Sequence, residues 1–202
     1  MSTRELLKIF NVIRNDAQVP SISFTGGEPL MREDIVELVA GAKKAGLRVN
    51  LISNGTLLSG NDLAKRLRDA GLNSAQISLE GPNAEVHDSL TAVAGSFEWT
   101  LKGILSLKAA GIHVHTNTTV NSRNAHYLVD LVGVVAEMGM TRMSMNMVIP
   151  AGSASERELQ ISYSKIWSLV EPARSAARKL GVEFMWYSPT PICIFNPLAE
   201  GL

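Results

Sequence analysis

The sequence predicts an α/β protein built on a parallel sheet, and three observations carry that expectation. A helical pattern closes in turn on Gly46, Gly71, Gly111, Gly139 and Gly181. Each glycine is followed by a short extended run: LRVNLIS, LNSAQISL, IHVHTNTTV, MTRMSMNMV and VEFMWY. Between the runs, apolar residues recur three and four positions apart, as in Ile35, Leu38, Val39 and Ala42, or Leu128, Leu131, Val132 and Val135. Glycine suits the residue just past a helix, where the left-handed conformation carries no side-chain penalty. Strand, helix and strand in alternation require a parallel sheet with right-handed crossovers.

Taken in order, residues 3–15 form a first helix and SISFT at 21–25 a first strand, and strand–helix units then repeat to a last strand at 182–187. Ser59, Ser96 and Asn124 are the expected helix starts, because short polar side chains accept from first-turn amides. A chain that opens on a helix is expected to lack the strand which that helix follows. Loops carrying chemistry belong at the carboxyl ends of the strands.

The 202 residues suffice for one domain with a sizeable core. A hydrophobic fraction of 46% with 19% charged residues excludes disordered and fibrous classes. Lys plus Arg and Asp plus Glu both number 19, so no net field attracts polyanions and nucleic acid is not an expected partner. No apolar run has the length of a membrane span, and MSTRELLKIF lacks the features of a signal peptide. The single cysteine, Cys193, excludes a disulfide framework, so the expected compartment is the cytoplasm.

The most informative stretch is SFTGGEPLMRED, in which a strand runs into Gly26, Gly27, Glu28 and Pro29. Paired glycines let a ligand approach the backbone, Pro29 fixes the chain, and Glu28 offers a carboxylate. The next strand ends in Ile52, Ser53, Asn54, Gly55 and Thr56, and the one after in Ile77, Ser78, Leu79, Glu80, Gly81 and Pro82, followed by His87 and Asp88. Later strand ends offer Asn117, Thr119 and Asn121, then Asn146, Pro150 and Gly152.

These strand-end strings resemble the radical S-adenosylmethionine superfamily, in the branch with C-terminal auxiliary-cluster (SPASM-like) extensions. The resemblance implies a partial (β/α)6 TIM-like barrel over residues 1–187, with the first strand and the cluster loop missing, and the start of a C-terminal extension at 188–202. It implies S-adenosylmethionine as cofactor. The methionine amino group would be held by Gly26, Gly27, Glu28 and Pro29, and Ser53 and Asn54 would hydrogen-bond cofactor or substrate. Ser78 and Glu80 would face the ribose and carboxylate, Pro150 and Gly152 would border the adenine, and Asn146 is a further cofactor-binding candidate.

The family's 4Fe-4S cluster is held by three cysteines in a CxxxCxxC loop, and those ligands are absent here. Catalytic residues are not assigned, no metal ligand is expected in this chain, and Cys193 is a candidate auxiliary-cluster ligand in a longer protein. An arginine usual in this branch after His-Asp is replaced by Thr91 and Ala92, and His87 is read as structural. His113 and His115 alternate without a third ligand, and the methionines at 138, 140, 143, 145 and 147 read as core filling.

The expected full-length activity is generation of a 5'-deoxyadenosyl radical to modify a peptide, small molecule or cofactor precursor, using an external electron donor, with this chain alone inactive. The alternative is a degenerate barrel that binds nucleotide or a partner. An exposed sheet edge would favour self-association.

Overall fold

The computed structural model describes residues 1–60, 62–149, 151, 159–191 and 193. They fall into two compact units, Met1–Ile77 with Trp99–Val114, and Ser78–Glu98 with His115–Leu202. All six expected strands are present, and the five punctuating glycines have φ between 64° and 103°.

In the first unit, α1 (Thr3–Asn11) opens on a capping box in which the Ser2 amide donates to Glu5 Oε2 at 2.7 Å. It runs on through a π-helical turn at Val12–Asp16. Then follow β1 (Ser21–Phe24), α2 (Ile35–Lys44), β2 (Arg48–Ser53), α3 (Leu63–Asp69) and β3 (Ser74–Ser78). The strands are parallel, with Phe24 beside Leu51 and Leu51 beside Ala75.

The strands' two-residue alternation divides the sheet into two chemically different faces. Val49, Leu51, Ala75 and Ile77 are fully buried, and α2 packs on β2. On the other face, Asn50 Nδ2 donates to Ser23 Oγ at 3.2 Å and Ser74 Oγ donates to Asn50 Oδ1 at 2.9 Å, a polar ladder across three strands.

The second unit holds α4 (Ala84–Thr91), β4 (His113–Val120, from His115), the first turn of α5 (Ser96–Ala109), α6 (Leu128–Glu137), β5 (Arg142–Met147), α7 (Tyr163–Lys179) and β6 (Glu183–Trp186). Its strands are also parallel, with Thr119 beside Asn146 and Ser144 beside Met185. Met143 and Met145 are fully buried and Met140 and Met147 nearly so, as expected of flexible side chains that fill irregular core space. A second polar ladder lies on the opposite face: Ser144 Oγ donates to Asn117 Oδ1 and Asn117 Nδ2 donates to Asn146 Oδ1, both at 2.8 Å.

The expected helix starts need correction. Ser59 closes a 3-10 turn at Thr56–Leu58, and α3 begins later, after Asp62. Ser96 is the first residue of α5, but its hydroxyl donates to Asp88 at 2.9 Å, and Asp88 also accepts from the Gly95 and Phe97 amides at 2.7 and 2.8 Å. The cap of α5 is therefore a carboxylate from the preceding helix. Asn124 precedes a 3-10 turn at Ala125–Tyr127, and its side chain turns to other strand-end groups.

Candidate functional site

In the first unit, the glycine loop after β1 leaves its backbone open. Gly26 has φ 136°, and a Cβ built on either Gly26 or Gly27 would meet nothing within 4 Å. Glu28 follows and does not project freely. Its Oε1 accepts from the Leu30 amide at 3.0 Å and from Ser53 Oγ at 2.8 Å, while Oε2 accepts from the Asn54 amide at 2.9 Å. The carboxylate is thus a latch that ties the end of β1 to the end of β2, and Pro29 is buried behind it.

Ser53 is buried and also accepts from the Gly55 amide at 2.9 Å. Asn54 turns its side chain inward along its own turn, where Oδ1 accepts from the Thr56 amide and hydroxyl at 3.0 and 2.8 Å. Its carbonyl accepts from Thr100 Oγ1 at 2.9 Å, on α5. That helix comes so close that a Cβ at Gly103 would collide with the Gly55 carbonyl. The polar atoms that Ser53 and Asn54 could offer a ligand are therefore largely committed to holding the turn.

The second unit leaves more polar capacity. Glu80 Oε2 accepts from the Thr119 amide at 2.9 Å, and burial pushes its carboxyl up to about 7 against that hydrogen bond. Among the described residues, Oε1 has no partner and neither does the Ser78 hydroxyl. The backbone of Glu80 is held on both sides. Its amide donates to His87 Nδ1 at 3.1 Å, and its carbonyl accepts from Asn124 Nδ2 at 2.9 Å.

His87 is buried against Phe97, and desolvation holds its pKa below the usual histidine value. An imidazole that accepts at Nδ1 while neutral carries its proton on Nε2. The structural reading of His87 agrees with this geometry. Asp88 beside it, lowered by the donors at Gly95, Ser96 and Phe97, fastens α5.

Asn146 lies in the second polar ladder, accepting from Asn117 and donating to the Met147 carbonyl at 3.2 Å. Pro150 and Gly152 lie outside the described residues. His115 is half-buried, with a pKa lowered by desolvation and the nearby Arg142 charge. Among the described residues no group of three or more His, Cys, Asp or Glu could hold a metal.

Three participants were not marked as site residues in the sequence: Asp88 as a cap, Asn124 as a brace on Glu80, and the Ser23, Asn50 and Ser74 ladder. The ladder had a signal, since polar residues alternate with apolar ones in RVNLIS and NSAQIS. The brace had none.

The first unit thus presents an open glycine backbone at a strand end, and the second a protonatable carboxyl with a free oxygen and a free hydroxyl, each on an α/β framework. Residues 1–135 match the Radical SAM superfamily, and the chain belongs to it.

The chain is 38% identical over 164 residues to an AdoMet-dependent heme synthase of Oleidesulfovibrio alaskensis, covering 80% of this chain and 41% of that protein. It is 33% identical over 137 residues to an Fe-coproporphyrin III synthase of Methanosarcina barkeri, covering 68% and 34% respectively. The chain thus spans less than half the length of these relatives. Among solved structures, Streptococcus suis SuiB matches with a TM-score of 0.76 at 14% identity, over 97% of this chain and 45% of that one. The anSMEcpe structure with bound AdoMet and the Kp18Cys peptide matches with a TM-score of 0.73 at 18% identity, over 92% and 55%. These likenesses establish the parallel α/β fold of the partial barrel.

The superfamily uses S-adenosylmethionine and a 4Fe-4S cluster. The open glycine backbone and the free oxygens of Ser78 and Glu80 fit the first. The second does not fit the residues present, because such clusters are held by cysteine thiolates and the chain has one cysteine, exposed Cys193.

Proposed function

We propose that this chain is the S-adenosylmethionine-binding core of an enzyme that modifies a cofactor precursor, with a tetrapyrrole the first candidate. The observation that carries the reading is Glu80, a carboxyl raised to about 7 by burial, with one unpartnered oxygen, two residues after Ser78, whose hydroxyl is also unpartnered among the described residues. A carboxylate accepts both hydroxyls of a diol. In this reading Ser78 and Glu80 take the ribose, and the carbonyls of the Gly26, Gly27, Glu28 and Pro29 loop take the ammonium. Ser53 and Asn54 hold that loop in place through the Glu28 latch, and Asn146 and Pro150 border the adenine.

The tetrapyrrole preference follows from the 38% and 33% identities to a heme synthase and an Fe-coproporphyrin III synthase. The peptide-bound neighbours, at under 20% identity, support only the fold. In a longer protein that holds a 4Fe-4S cluster, S-adenosylmethionine bound here would be the source of a 5'-deoxyadenosyl radical. This chain alone is inactive in the reaction. The same reading places the start of a C-terminal extension at 188–202 and an external electron donor in the cytoplasm.

The test is calorimetric titration with S-adenosylmethionine, followed by absorbance titration with Fe-coproporphyrin III and, as a competitor, GTP. Saturable cofactor binding that Glu80→Ala weakens about tenfold, for loss of a charged acceptor, is the expected result. Absence of binding at about 1 mM cofactor would sink the reading. A GTP response exceeding that of the porphyrin would overturn the substrate preference alone.

The single cysteine favours a second reading, a non-catalytic barrel that binds the same nucleotide. The two readings separate on whether the complete gene product, reconstituted with iron and sulfide, develops the visible absorbance of a cluster.

A further inference from the structure

A second depression lies at the amino ends of the first three strands. Its walls are formed by Pro20 before β1, Arg48 at the start of β2 and Asn73 before β3, with Leu47 as floor and Arg14 and Lys43 reaching in from the π-helical turn and α2. The cavity measures about 340 Å³, at the small end of the range in which ligand pockets fall. Five strand steps separate Arg48 from Ser53, so it sits roughly 17 Å from the Glu28 latch at about 3.3 Å per residue.

The side chains around this space have one chemical character. The side chains of Arg14, Lys43 and Arg48 carry positive charge and have neither an ion pair nor a hydrogen bond among the described residues. By contrast Arg32 and Arg68 in this unit, and Arg142 in the other, each pair with an acid at 2.7 Å. The fourth polar side chain is also a donor. Asn73 Oδ1 accepts from the Val49 amide at 2.9 Å, which leaves the Nδ2 protons as its free function.

Among the described residues no acidic residue lines the cavity. The nearby amides are already used, that of Arg48 by the Pro20 carbonyl and that of Asn73 by the Val49 carbonyl. The chain as a whole carries no net charge, so this excess is local. Three like charges around one concavity repel each other, and a bound anion relieves that repulsion. Donors without acceptors select a ligand that only accepts, and two guanidinium forks match the oxygens of a phosphoryl group.

We infer that this depression binds a phosphate-type oxyanion, free or as the terminal group of a small molecule, at a site separate from the strand-end loops. The experiment is calorimetric titration of the protein with inorganic phosphate and with pyrophosphate, against sodium chloride of matched ionic strength. S-adenosylmethionine is titrated in parallel, so the two sites are read independently.

The expected result is saturable pyrophosphate binding that Arg48→Gln and Lys43→Gln each weaken about fivefold, the loss of one exposed charge contact. Arg68→Gln, whose side chain pairs with Asp69 away from the cavity, should leave it unchanged. Absence of saturation by about 10 mM, or an equal loss in Arg68→Gln, would overturn the site. Phosphate binding as tightly as pyrophosphate points to the free ion as ligand; a strong pyrophosphate preference points to a phosphorylated metabolite.

Discussion

At the scale of single residues, two carboxylates at strand ends have opposite fates. Glu28 is saturated by three donors and acts as a fastener. Gln at this position keeps one acceptor oxygen and turns an NH2 toward groups that themselves donate. Glu28→Gln should therefore cost about 1–3 kcal/mol in urea denaturation, as a buried donor loses its acceptor. Glu80 is desolvated with one donor, and its folded pKa of about 7 lies above the ordinary carboxylate value. Folding therefore favours the protonated form. The stability associated with this group is fully present below the ordinary carboxylate range and is lost as pH rises through about 7. Glu80→Gln should melt at nearly the parent temperature at acid pH and above it at pH about 8. A melting-temperature difference that stays constant across the pH range would refute the assigned burial.

Helices and strands were legible in the sequence because their signals are local: a glycine past each helix, then an apolar or β-branched run. Caps were less legible. Ser59, Ser96 and Asn124 have suitable side chains, but α5 is capped by Asp88, seven to nine residues earlier, and no local pattern names that partner. Similarly, the position of Glu28 and Glu80 at strand ends could be read from the motifs, while the direction of their bonds required the register of neighbouring strands. Asp88→Ala removes acceptors from two amides and a hydroxyl at the start of α5 and should cost about 1–2 kcal/mol, read as a lowered urea midpoint. Gly103→Ala introduces a methyl against the Gly55 carbonyl and should cost about 1–3 kcal/mol while leaving helix content unchanged by circular dichroism.

At the scale of the molecule, a TM-score of 0.76 at 14% identity shows how much sequence this architecture can exchange. What persists is the parallel α/β fold. Within these 202 residues one cysteine cannot supply a three-thiolate site. Anaerobic reconstitution of the 202-residue chain with iron and sulfide should leave no protein-bound cluster after desalting. Bound iron and sulfide in equal amounts would contradict this.

The His87 and Asp88 pair has a consequence for how this region tolerates changes in length. His87 fastens backward to the Glu80 amide, and Asp88 fastens forward to Gly95, Ser96 and Phe97. Two adjacent residues thus fix the chain length on both sides of them. Insertions or deletions between 81 and 94 will be accepted only where a loop can bulge without moving either end, and one inserted between 87 and 88 would release one fastening to keep the other.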